Sequence, residues 1–129
     1  ANAYGRAKLR LEEVLHEHDV PSVVVRISNA YGPGQPAAPG QGVVGHWLRA
    51  VRDGRAVTVF GDLGTTRDYV YIDDVVQLLR ILAESPEAPH LLNVGSGRPT
   101  TLATVVETIE SVVGPRRLEV DLQDARAFD

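Results

Sequence analysis

Ser22-Val23-Val24-Val25-Arg26-Ile27, running straight into Ser28-Asn29-Ala30-Tyr31-Gly32-Pro33-Gly34, is the stretch on which the fold turns. A β-branched run bounded by Pro21 on one side and by a Gly/Pro cluster on the other reads as a buried strand. The next segment, Ser28 to Gln41, is crowded with glycine and proline and reads as a long loop. An arginine, an amide and a tyrosine (Arg26, Asn29, Tyr31) thus gather at the carboxyl end of a strand, where open α/β sheets bind ligands. The same residues also suit a turn with an asparagine cap and a rigid Gly-Pro corner, and the two readings stand level.

Working outward, Ala7, Leu11, Val14 and Leu15 recur at helical spacing from Tyr4 to about Glu17, on the side that carries Tyr4 and Lys8. Downstream, Val44, Trp47, Leu48 and Val51 predict a helix over Val43 to Arg52, with Gly54 as its C′ residue. Ala56 to Phe60 and Tyr69 to Ile72 read as short strands flanking a polar loop, Gly61 to Asp68. Asp73 is placed to cap a helix running through Leu82, which Pro86 ends. Leu91 to Val94 is a further strand, and Gly95-Ser96-Gly97-Arg98-Pro99 a turn. Thr100 or Thr101 caps a helix to Val113, Gly114-Pro115 stops it, and Leu118 to Leu122 makes a last strand. Helices alternate with strands throughout, which argues an α/β fold with at least partly parallel pairing.

The 129 residues fit one domain with a real core. With net charge −4 and no basic stripe, nucleic acid is not an expected partner. No apolar run is long enough to span a membrane and no signal-peptide pattern is present, so a cytoplasmic location is the default. Cysteine is absent, which removes disulfides, thiolate chemistry and Cys-ligated zinc. Methionine is absent too, and the chain opens directly on a helix; a piece of a longer polypeptide is expected.

Tyr4 and Lys8 stand at i and i+4, so a phenol and an ammonium can address one small site from one helix face. A cation beside a phenol favours the phenolate, the form that acts as a base. A Gly-x-Gly-x-x-Gly is present as Gly40, Gly42 and Gly45, with Asp62 at the distance of a ribose-binding acid. Its context fails, because Pro36 to Pro39 precedes it where a strand should enter the first glycine; a loop-to-helix junction is expected instead. Arg67, between short strands, could clamp a phosphate in bidentate fashion. Asp73 and Asp74 read as helix-start residues, since adjacent carboxylates do not share a helical face.

Taken in order, Tyr4-x-x-x-Lys8, Arg26-x-x-Asn29-x-Tyr31-Gly32-Pro33-Gly34, Val59-Phe60-Gly61-Asp62 leading to Arg67-Asp68-Tyr69-Val70-Tyr71-Ile72-Asp73-Asp74-Val75, and Leu92-Asn93-Val94-Gly95-Ser96-Gly97 closely resemble the C-terminal half of extended short-chain dehydrogenases. This is the NAD-dependent nucleotide-sugar epimerase/dehydratase family, with UDP-glucose 4-epimerase-type enzymes as the likeness. The resemblance implies a Rossmann-like fold with a small substrate-binding region. Residues 1–35 would end the NAD-binding core and carry the Tyr/Lys helix, and 36–129 would be mainly the nucleotide-sugar-binding region.

The resemblance also implies roles. Tyr4 would exchange the proton of a sugar hydroxyl while hydride passes to the nicotinamide, Lys8 would hold the nicotinamide ribose, and Tyr31 would join them on the cofactor side. Asn29 would bind the nucleotide-sugar (UDP- or dTDP-linked) near its phosphates, Phe60 would lie beside the nucleobase, and Arg67 and Arg126 would neutralise the pyrophosphate. Asn93 and Gly95 to Gly97 are expected to build a turn. The family's N-terminal Gly-x-x-Gly-x-x-Gly and the Ser/Thr that joins Tyr and Lys are missing from this chain. The resulting expectation is part of a homodimeric NAD-dependent nucleotide-sugar epimerase, inactive as these residues alone. A 4,6-dehydratase or reductase of the same family and a non-catalytic sugar-nucleotide-binding segment are the alternatives.

Overall fold

The computed structural model describes residues 2–35, 42–114 and 118–124. Helix α1 spans Ala3–Glu17, and the Asn2 side chain caps it by accepting the Gly5 N–H at 2.8 Å. Strand β1 (Val24–Ile27) follows, then β2 (Asn29–Tyr31), α2 (Val43–Arg52), β3 (Val57–Phe60) and β4 (Thr66–Tyr71). The chain continues through α3 (Ile72–Glu84), β5 (Leu91–Val94), β6 (Pro99–Thr101), α4 (Leu102–Val113) and β7 (Val120–Gln123).

The strands form three small sheets. β1 runs parallel to β5, with Arg26 opposite Asn93 and Ile27 opposite Val94. β4 lies between β2, parallel to it, and β6, antiparallel to it. β3 is parallel to β7. The main core sits where α2 and α4 meet β3: Trp47, Ala50, Val57, Val59, Leu102, Val105, Val106 and Ile109 form one buried cluster. Burying each valine side chain there contributes about 1.5 kcal/mol or more. Trp47 is locked as well as buried, because its indole N–H donates to the Thr58 carbonyl at 3.0 Å. The Leu102 and Ala103 N–H groups, at the head of α4, donate to the carbonyls of Thr65 and Leu63, tying α4 to the loop before β4.

Several expectations need correction. The segment expected to be one long loop from Ser28 contains β2, a strand that exists because β4 supplies its partners. Likewise the turn after Gly95 passes into β6, paired with the start of β4. Helix α3 begins earlier than expected: Tyr71 is its N-cap, so Asp73 and Asp74 lie within its first turn, where their charge complements the helix dipole. Thr101 does cap α4, accepting the Thr104 N–H at 3.0 Å, and Gly114 ends it at φ +100°, a conformation glycine adopts without strain.

Candidate functional site

β4 gathers most of the chemistry. Its side chains alternate, so Arg67, Tyr69 and Tyr71 share one face, and the parallel register sets Asn29 beside Tyr69 and Tyr31 beside Tyr71. Three of the expected site residues, Asn29, Tyr31 and Arg67, therefore come onto one sheet face. Tyr31 packs edge-on against Tyr71 (centroids 5.6 Å apart) and Tyr69 (6.3 Å). Burial pushes the Tyr69 phenol up, and the charge of Arg67 partly offsets this. Arg67 donates to its neighbour Thr66's carbonyl at 3.0 Å.

The opposite face carries Asp68. Its carboxylate accepts the Ser96 hydroxyl at 2.7 Å, the Ser96 N–H at 2.8 Å and the Gly97 N–H at 3.0 Å. These bonds, the Ser96 hydroxyl foremost, hold the Asp68 carboxyl below the usual carboxylate range. From the other side, the Asn29 amide donates to the Asp68 carbonyl at 3.1 Å. Asp68 thus fastens β4 both to the start of β2 and to the Gly95–Gly97 turn, and Gly95 lies so close to the carboxylate that no Cβ would fit. In the turn expected at Gly95 to Gly97, this clamp accounts for Gly95, while Gly97 sits at φ +72°, a conformation that favours glycine.

A cavity of about 470 Å³ opens at the carboxyl ends of β1 and β5, lined among others by Arg26, Ser28, Asp68, Asn93, Gly95 and Gly97. The Ser28 Oγ is buried on its wall without a hydrogen-bond partner among the described residues. Leaving a buried hydroxyl unpaired costs about 1–3 kcal/mol, so this oxygen is available to a bound group. Ser28 has no role in the motif as read from sequence. Its polarity is visible there, but its burial is not.

Tyr4 and Lys8 occupy the first two turns of α1, with the Lys8 ammonium over the Tyr4 ring, 5.5 Å from its centroid. Tyr4 is 70% exposed, so its hydroxyl can meet an incoming ligand. Phe60 ends β3, half-buried and opposite Gln123. Arg126 and Gly40 lie outside the described residues. Gly42 is the N-cap of α2, and a Cβ there would meet the Gln35 side chain at 3.2 Å. Among the described residues, therefore, α1 presents a phenol and an ammonium, and no glycine-rich turn joins a strand directly to a helix. No group of three or more metal-ligating side chains occurs among them.

The profile of the NAD dependent epimerase/dehydratase family matches residues 1–95. The chain belongs to this family. Family members similar to it include a dTDP-4-dehydro-6-deoxyglucose reductase of Escherichia coli, 35% identical over 84% of this chain and 35% of that protein. A dTDP-L-rhamnose 4-epimerase of Burkholderia thailandensis is 32% identical over 93% of this chain and 35% of its own length. Among solved structures, a UDP-glucose 4-epimerase of Thermus thermophilus in complex with NAD superposes with a TM-score of 0.80 at 30% identity, covering 95% of this chain and 40% of that one. The α/β architecture with parallel strand pairs is thus that of the family's Rossmann-like members. The chain spans about a third of the length of the curated relatives it matches.

Proposed function

We propose that this chain supplies the proton-transfer helix and the nucleotide-sugar-binding part of an NAD-dependent nucleotide-sugar epimerase. The observation that carries the reading is the convergence of Asn29, Tyr31 and Arg67 on one sheet face in a chain that also presents Tyr4 and Lys8 on one helix stripe. When bound, NAD supplies the acceptor and later the donor of a hydride. The residues of this chain do the rest. Lys8 and Tyr4 would hold the nicotinamide ribose, with Tyr31 on the same side. The Tyr4 phenol oxygen, as general base, takes the proton of the sugar hydroxyl as the carbon loses hydride, and returns it once the keto sugar has turned its other face. Arg67, with Arg126, neutralises the pyrophosphate through charged, fork-shaped hydrogen bonds. Asn29 fixes the sugar-phosphate end and Phe60 lies against the nucleobase.

The reading treats residues 1–35 as the end of the cofactor-binding core and 36–129 as mainly the substrate region, within a homodimeric cytoplasmic protein that takes UDP- or dTDP-sugars. Among the described residues, no helix is long and apolar enough to cross a membrane. The similarity to a reductase keeps reduction, and with it 4,6-dehydration, as the second reading. Product analysis separates them. The whole protein, offered UDP- and dTDP-hexoses with NAD and followed by NMR, is expected to yield a sugar inverted at one ring carbon with no change in mass. Loss of water would instead establish a dehydratase, and net oxidation of NADH, supplied with a keto-sugar nucleotide in a parallel sample, a reductase.

A further inference from the structure

Helix α1 has a weak hold on the rest of the molecule. None of its residues is fully buried; Val14 and Leu15 are half-buried, and Leu9 and Leu11 are exposed. Its Arg10 pairs with Glu13 and Glu17, contacts that stay on the helix surface. Among the described residues, an ion pair crosses from α1 to β1. Arg26 of β1 grips Glu12 with both arms of its fork, Nε to Oε1 at 3.0 Å and Nη2 to Oε2 at 2.6 Å. The Glu12 side chain is the more covered partner, 22% exposed against 45% for Arg26. A two-point contact between planar groups fixes an angle as well as a distance, which a single lysine contact cannot do.

The location of the pair gives this grip its consequence. Tyr4, Lys8 and Glu12 stand at i, i+4 and i+8, along one stripe of α1. On the strand side, Arg26 lies two residues before Ser28 and three before Asn29. Tyr4 lies about 12 Å along the axis from Glu12, given a rise of about 1.5 Å per residue. The fork thus acts as the pivot of a lever whose far end is the phenol.

We propose that Glu12 and Arg26 are a positioning pair that sets the angle of α1 against β1 and so holds Tyr4 and Lys8 in register with the ligand. Neither residue touches the reacting atoms. The proposal rests on the reading of Tyr4 as the proton-transfer residue. Misplacing a reacting group by about 1 Å can cost about a hundredfold in rate.

The test uses the whole protein in three variants: Glu12→Gln, which keeps the shape and removes the charge; Arg26→Lys, which keeps the charge and removes the fork; and the exchanged double variant Glu12→Arg with Arg26→Glu. The single variants are expected to lose about tenfold or more in kcat, with KM and calorimetric affinity for the nucleotide-sugar kept within about twofold. Amide hydrogen exchange over α1 should accelerate while that of α4 is unchanged, and the exchanged double variant should recover part of kcat. Unchanged kcat, unchanged exchange over α1, or a parallel loss of kcat and sugar-nucleotide affinity would each overturn the positioning role. Tyr4→Phe, run in the same assay, separates the two ideas: if it leaves turnover intact, the reading of Tyr4 has failed, whereas if it abolishes turnover while Glu12→Gln does not, only the positioning pair has.

Discussion

Arg67 illustrates what a single residue contributes on this scaffold. It sits on the middle strand of a three-stranded sheet, beside Tyr69, and of its bonds within the chain the one to the adjacent Thr66 carbonyl is a local contact that a stronger acceptor can replace. A pyrophosphate is such an acceptor. Charged hydrogen bonds of this kind are worth about 1.5–3 kcal/mol, so Arg67→Ala should weaken UDP binding by one to two powers of ten. Calorimetry with UDP and with uridine checks this: affinity for uridine should change little, and an unaltered UDP affinity would contradict the phosphate role. Legibility differs sharply between residues. Tyr4, Lys8, Asn29 and Arg67 can be picked out because their types and order are distinctive. Glu12 cannot, since the partner that gives it meaning is 14 residues away and nothing in a helical glutamate announces it.

At the scale of the element, the β4–β6 pairing is reinforced by one carboxylate that binds the Gly95–Gly97 turn. The folded-state pKa of Asp68 is lowered by hydrogen bonds to Ser96 and Gly97. Its contribution is therefore fully present above the unfolded-state pKa and is lost as pH falls through the depressed folded value. Asp68→Asn should accordingly be less resistant to urea than the native protein at pH 7. The gap between their midpoints should close as the solution is acidified below the ordinary carboxylate range. A gap that persists unchanged in acid would show that the charge of Asp68 plays no part. The helices are legible from the sequence, α2 and α4 nearly to the residue, because their apolar period and their stop signals at Gly54 and Gly114 are local properties. β2 and β6 are not, because strands of three residues have no pattern of their own. They form only when β4 arrives between them, and the proline and glycine around them read as loop. The start of α3 is ambiguous for a related reason: an aspartate suits an N-cap and a first turn equally well, and the end of β4 decides between the two.

The whole molecule is divided in how well it is buried. α2, α4 and β3 share one closed core, whereas α1, the β1–β5 pair and the outer side of α3 present apolar side chains to solvent, among them Leu9, Ile27, Leu91, Val76 and Ile81. A two-stranded sheet with exposed apolar residues on it and on the flanking helices is marginal by itself in water. The 129-residue chain alone is thus expected to bind a hydrophobic dye and to self-associate in sedimentation, without turning over any nucleotide-sugar. A dye-negative monomer would contradict this. The central claim is that Tyr4, carried by α1 and exposed beside Lys8, moves the proton in nucleotide-sugar turnover. Its most direct test is kcat of Tyr4→Phe in the whole protein, measured with nucleotide-sugar affinity on the same sample. The expected result is a fall of about a hundredfold or more, the usual scale of general acid–base catalysis, with affinity unchanged. Turnover within about twofold of the native protein, far below that scale, would contradict it.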